Sequence, residues 1–249
     1  MRRQSFRDAA LVLRTYDFAE ADRVVVLLTR SHGIVRSVAK GVRRAKSRFG
    51  SRLQLFVELN VQLYPGRNLA TITGADTVSF YGARLIGDYE RYTAACAVLE
   101  CAERLAVAES GDDPYLFDTA NQTLKSLQRC EEPTLVLDSF LLAATAHAGW
   151  ALSLFDCAQC SRPGPHHAFH PGAGGAVCVH CRPSGSVDVP EEALHLMWLL
   201  LNGRMAEARG VAAGPDGAQL VATAHRLTRA HVHWQLETTL RSLAAMEEG

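Results

Sequence analysis

The hydrophobic period changes once along this chain, and that change bounds what it can fold into. Up to about residue 80 apolar residues recur at every second position; from about residue 84 they recur at every third and fourth. The clearest case of the first kind is Leu53, Leu55, Val57, Leu59, Val61 and Leu63, which alternate with Arg52, Gln54, Phe56, Glu58, Asn60, Gln62 and Tyr64. Period two sends successive side chains to opposite faces, so this run predicts a strand with one face in a core and one toward water. Further strands are expected over 9–16, 23–29 and 34–39, the last two joined by the short loop Arg30-Ser31-His32-Gly33. Tyr64-Pro65-Gly66-Arg67-Asn68 reads as a turn, and a fifth strand begins at Leu69. About five short strands in roughly 75 residues suit a small closed barrel such as an OB-fold.

Beyond the switch, Tyr92, Ala95, Cys96, Leu99, Ala102, Leu105 and Ala106 form one apolar stripe at helical spacing. Asp113 before Pro114 starts a second helix, with Leu116, Phe117, Ala120, Leu124 and Leu127 on its inner side. Pro133 opens a third, which reads as apolar nearly all round as far as Phe155 and so as central to a bundle. Residues 139–155 carry no formal charge over 17 positions, short of the roughly 18–20 that a spanning helix needs. They include Ser139, Thr145, His147 and Gly149 and have no flanking Lys or Arg, so a buried core helix is expected rather than a membrane span. Pro190-Glu191-Glu192 opens another helix ending near Asn202-Gly203, 210–217 reads as a loop, and a last long helix carries Ala224, Leu227, Val232, Leu236, Leu240 and Leu243 inward. The expected fold is α+β: an OB-fold β-barrel over 1–80, then an α-helical bundle over 81–249 interrupted at 156–184 by a zinc ribbon-like element.

That interruption rests on cysteine spacing. Cys157-Ala158-Gln159-Cys160 is followed, 17 residues later, by Cys178-Val179-His180-Cys181. Two Cys-x-x-Cys pairs at this separation fit a tetrahedral four-thiolate zinc site. A redox pair is the competing reading, but redox chemistry needs only one such pair. Four thiolates leave no open position for water, so one structural zinc per chain is expected, pinning an insert with no core of its own. Cys96, Cys101 and Cys130 lack partners at ligand spacing and read as buried apolar residues.

Net charge is zero, yet it is unevenly placed: residues 1–80 hold 14 basic against 6 acidic residues. A basic first third on an acidic remainder points to a polyanion site on one module. The densest run is 40–52, where Lys40, Arg43, Arg44, Lys46, Arg48 and Arg52 occur with no acid, between two expected strands. A mobile basic loop beside a sheet face, with Arg14 and Arg36 on neighbouring strands, suits phosphate binding through counterion release. Phe49, Phe56 and Tyr64 are candidates to stack on bases, although surface packing explains them too. No phosphate-binding loop, dinucleotide fingerprint, serine elbow or His-Glu-x-x-His motif occurs, so no enzyme activity is expected.

The order of these pieces resembles the RecO family of bacterial recombination mediators along nearly the whole chain. The resemblance is carried by Ala10-Leu11-Val12-Leu13-Arg14, by Glu20-Ala21-Asp22-Arg23 running into the second strand, and by His32-Gly33-Ile34 through Val38-Ala39-Lys40-Gly41-Val42-Arg43-Arg44. Ser47-Arg48-Phe49, Arg91-Tyr92, Arg104-Leu105, Gly174-Gly175 before the second cysteine pair, and Leu240-Arg241-Ser242-Leu243 follow in order. It implies non-catalytic work: binding single- and double-stranded DNA, annealing complementary strands, and helping RecR load the RecA recombinase onto DNA coated by single-strand binding protein. The acidic, hydrophobic tail of that protein is an implied partner, with Lys125 and Arg129 as candidate contacts. A cytoplasmic, nucleoid-associated location is expected, with no membrane partner. A non-enzymatic adaptor and an RNA-binding zinc-ribbon factor are the rival readings.

Overall fold

The computed structural model describes residues 4–47, 49–108 and 113–246. It divides into two compact units, 1–129 and 130–249. The expected boundary near residue 80 therefore falls inside the first unit, because the first helices pack on the barrel.

In the first unit five strands, β1 (Phe6–Phe18), β2 (Asp22–Thr29), β3 (Gly33–Ala39), β4 (Val57–Tyr64) and β5 (Ala70–Phe80), close a barrel in the order β1-β2-β3-β5-β4. All pairs are antiparallel except β3 with β5, where Ser37 faces Ala70 and Val38 faces Thr71. Alternation explains the core: Val57, Leu59, Val61 and Leu63 of β4 point inward with Ala10, Val12, Val25, Leu27 and Ile72. Leu53 and Leu55, expected to begin the fourth strand, lie before it. The alternation fails at Phe56 and Val57, both buried, and Phe56 takes a positive φ of 64°. For a bulky residue that conformation ends a strand.

Helices α1 (Gly82–Leu85), α2 (Tyr89–Ala108) and α3 (Tyr115–Leu127) complete this unit, with α2 packed on β1, β2 and β3. The start of α3 is satisfied as its sequence suggests, Asp113 Oδ1 accepting from the Tyr115 N–H at 2.9 Å.

The second unit is built on α4 (Pro133–Thr145), α5 (Glu191–Leu201), α6 (Met205–Ala212), α7 (Gly217–Leu236) and α8 (Arg241–Ala245). The third helix does not reach Phe155: one π-helical turn over Ala146–Trp150 follows α4, and Gly149, at φ 92°, ends it. The expected loop at 210–217 is shorter, since α6 runs through Gly210. The last helix is two, broken at Glu237 with φ 51°, although Leu240 and Leu243 remain buried. No helix among the described residues is long and apolar enough to cross a membrane.

Between α4 and α5 the insert folds as a small sheet of β6 (Ala168–His170), β7 (Gly175–Ala176) and β8 (Val187–Asp188), in the order β7-β6-β8. It is not an appendage without a core. Phe169 and Ala176 are buried with Leu135, Leu196, Met197 and Leu227 in the main cluster of the unit. The fit is close at two glycines: a Cβ on Gly175 would collide with the Ser153 carbonyl oxygen, and one on Gly172 with the Trp234 ring.

Candidate nucleic-acid interface and metal centre

The chain between β3 and β4 contains the basic run, and the structure shows it anchored rather than mobile. The Gly41 N–H donates to Asp22 Oδ1 at 2.7 Å and the Arg43 N–H to the Ala21 carbonyl at 3.0 Å. Tight turns follow, with N–H donation from Ser47 to Arg44 and from Arg52 to Phe49. Val42, Phe49 and Leu53 are buried in the barrel core. The segment is thus a cap: apolar side chains fill the barrel while Lys40, Arg43, Arg44, Lys46 and Arg52 stay exposed. This removes Phe49 and Phe56 as base-stacking candidates, since both are buried, and leaves Tyr64 exposed on β4.

The other predicted cations differ in how free they are. Arg14 donates to Glu103 Oε1 at 2.8 Å. Arg43 Nη1 lies 3.5 Å from Asp17 and donates to the Glu20 carbonyl at 3.4 Å. Arg52 donates to the Ala75 carbonyl at 3.4 Å. Arg36, Lys40, Arg44 and Lys46 are exposed and make no side-chain hydrogen bond or ion pair among the described residues. Arg48 lies outside the described residues. Register brings Arg14 and Arg36 together, one on each side of Val26. Sequence reasoning missed Tyr16 and Phe18, whose signal was the continued alternation past Arg14 into an exposed strand end.

Lys125 is exposed in the last turn of α3, and Arg129 is exposed two residues beyond that helix. A hollow of about 350 Å³ in the second unit instead combines Arg226, Arg229 and His233 with Val232, Leu240 and Leu243.

The four cysteines of the insert do converge. Their Sγ atoms all lie within 4.8 Å of one another, with Cys160 and Cys178 at 3.9 Å. Each pair closes a knuckle: the Ser161 N–H donates to the Cys157 carbonyl at 2.8 Å and the Cys181 N–H to the Cys178 carbonyl at 3.1 Å. The Cys178 N–H also donates to Cys157 Sγ at 3.4 Å. Burial raises the Cys157 thiol pKa, but backbone N–H groups of Cys178, Gln159 and Cys160 outweigh it and hold it down at about 6. Cys181 is pushed up to about 12, chiefly through its hydrogen bonds to the neighbouring thiols of Cys160 and Cys178. Among the described residues no other cysteine joins this cluster; Cys101 is fully buried in α2, and desolvation pushes its thiol up to about 12.

A closed five-stranded, OB-like barrel with a cationic cap, followed by a helical unit carrying a four-cysteine cluster, defines a two-part architecture. The chain belongs to the RecO family. It matches Recombination protein O N terminal over residues 1–81 and Recombination protein O C terminal over residues 86–244. That family is one of DNA repair and recombination.

Proposed function

We propose that the protein is a non-enzymatic recombination mediator, which binds single- and double-stranded DNA, anneals complementary strands, and with RecR helps RecA load onto strands coated by single-strand binding protein. The observation that carries this reading is the cationic cap of the barrel in a RecO-family chain. Its apolar side chains hold the cap in place, so Lys40, Arg43, Arg44, Lys46 and Arg52 offer charge with little backbone ordering cost at binding. Two strands gathered on one cationic surface lose part of their mutual repulsion, which is what annealing requires.

One zinc per chain, held by Cys157, Cys160, Cys178 and Cys181, fits the second unit. Tetrahedral zinc with bonds near 2.3 Å places its sulfurs about 3.8 Å apart. The 3.9 Å between Cys160 and Cys178 agrees with that spacing. Bound there, the ion acts as a cross-link between the two knuckles. For the tail of single-strand binding protein, the hollow at Arg226, Arg229 and His233 offers cations beside an apolar floor. That combination supports it as the tail site over Lys125 and Arg129. The protein would work in the cytoplasm, on the nucleoid.

The deciding experiment is annealing of complementary DNA strands coated with single-strand binding protein. Acceleration over the coated strands alone is expected, without nucleotide hydrolysis. Absence of acceleration together with tight binding to protein partners alone would favour an adaptor, and preference for matched RNA would favour an RNA-binding factor.

A further inference from the structure

β1 ends in two aromatic side chains that the fold leaves half in water, Tyr16 at 46% and Phe18 at 48% exposure. Register decides which way they face. Arg14 lies opposite Val26, Tyr16 opposite Val24 and Phe18 opposite Asp22. Val26 in turn lies opposite Arg36, and Val24 opposite Val38. Directly opposed residues in an antiparallel pair share a face. Arg14, Tyr16, Phe18, Arg36 and Val38 are therefore on the outer side of β1–β3, where α2 packs and Val24, Val26 and Val38 are buried. Tyr16, Phe18, Arg36 and, two residues beyond Val38, Lys40 stay exposed around that covered patch. The opposite side, with Val25 and Ala39, fills the barrel.

Charge on this face is mostly positive where it is free. Arg36 and Lys40 carry no side-chain partner among the described residues. The nearby carboxylates are already engaged: Glu103 accepts from Arg14, and Asp22 from the Gly41 N–H. Two adjacent half-exposed rings beside unpaired cations suit a ligand with both flat apolar faces and negative charge.

We propose that Tyr16 and Phe18 form a base-stacking platform for single-stranded DNA, with Arg36 and Lys40 taking the flanking phosphates. This rests on the reading of the protein as a DNA-binding mediator and adds to it a preference for single over double strands. Bases in a single strand have free faces, whereas those of a duplex are already stacked on one another. Two residues of strand separate Tyr16 and Phe18 by a rise of about 7 Å, twice the stacking distance of bases, so each can take its own base.

The test uses the full chain with Tyr16→Ser and Phe18→Ser combined, and three probes: a mixed-sequence single strand, an abasic strand of the same length and charge, and a duplex. The parent should bind the ordinary strand more tightly than the abasic one. The double variant should lose roughly tenfold or more on the ordinary strand alone. Its binding to the abasic strand and the duplex should match the parent. In a Tyr16→Trp variant, fluorescence should fall on adding the ordinary strand and not the abasic one. If the double variant keeps the parent's preference for bases, or weakens on all three probes equally, the platform is wrong while the mediator reading stands. A parent that binds none of the three overturns the mediator reading itself.

Discussion

Two buried side chains of the second unit set opposite responses to pH. His231 is almost wholly buried, and desolvation pushes its pKa down to about 4, against a smaller opposing pull from the Trp150 backbone. The unfolded chain therefore binds this proton between about pH 6.5 and 4 while the folded chain does not. Stability from His231 is complete above the unfolded value and is lost as pH falls toward about 4, by about 3 kcal/mol in all. Asp138 runs the other way. It is fully buried, its Oδ1 2.8 Å from His225 Nδ1, and burial holds its carboxyl above the usual range despite the pull of His225. Its contribution is greatest when protonated and falls as pH climbs through its folded pKa, so it cannot cause the acid loss. Urea unfolding of the parent at pH 7, 5.5 and 4.5 should show a steep fall that His231→Leu flattens. Parallel pH profiles for the two proteins would assign the acid loss to another group. A second residue-scale outcome follows from Gly175, at φ 132° against the Ser153 carbonyl. Gly175→Ala should cost about 1–3 kcal/mol from backbone conformation alone, with a further loss from the collision, read as a lower melting temperature.

The insert is tied into the second unit, because its strands carry Phe169 and Ala176 into the helical core. Elemental analysis of the purified parent should find one zinc per chain; Cys157→Ser or Cys181→Ser should abolish it and raise hydrogen exchange over α5 and α7 as well as over the insert. Faster exchange confined to 156–184 would show that the ion stabilises the knuckles and nothing beyond them. How legible each element was in sequence follows from how local its cause is. The knuckles were legible because Cys-x-x-Cys spacing alone brings both thiols to one point. The strands were legible wherever one face meets the core and the other water, and failed at Leu53 and Leu55, where the chain turns inward to plug the barrel. No local pattern signals that plug. The same oversight made the basic run look mobile and left Phe49 and Phe56 as surface residues. α4 looked longer than it is because the residues beyond it are apolar for another reason: Leu152 and Leu154 pack into the core outside a helix. Lys125 and Arg129 were placed by helical spacing, which fixes a shared face but not what lies beside it.

Across the whole molecule, charge is divided as the units are. Residues 1–129 hold 19 basic against 14 acidic residues, and 130–249 hold 7 against 12. Within the first unit, several arginines are already committed: Arg14 to Glu103, Arg23 to Asp17 and Arg30 to Asp118. Of the cations left exposed for a polyanion, Arg36, Lys40 and those of the cap are the densest run in the sequence, while Arg7, Arg67, Arg84 and Arg104 are scattered through the rest of the unit. If about five of these side chains meet phosphates, log affinity for a single strand should fall with log salt at a slope of about −3.5, from roughly −0.7 per contact. Replacing Arg43, Arg44 and Lys46 together by Ala should flatten that slope by about two units. The loss should be similar for every sequence, because phosphate contacts carry no base information. Folding should survive, since Val42, Phe49 and Leu53 are untouched and hold the cap by burial; Arg43 gives up an exposed pair with Asp17 and a long, exposed hydrogen bond to the Glu20 carbonyl. Annealing should decline in step with binding, both drawing on one surface. The measurement is fluorescence anisotropy of a labelled single strand across a salt series, with melting temperature as the control for folding. A triple variant with the parent's slope and annealing rate would make the cap a solvated charge run. The polyanion site would then have to rest on cations outside the replaced trio, beginning with Arg36 of β3 and Lys40, both exposed.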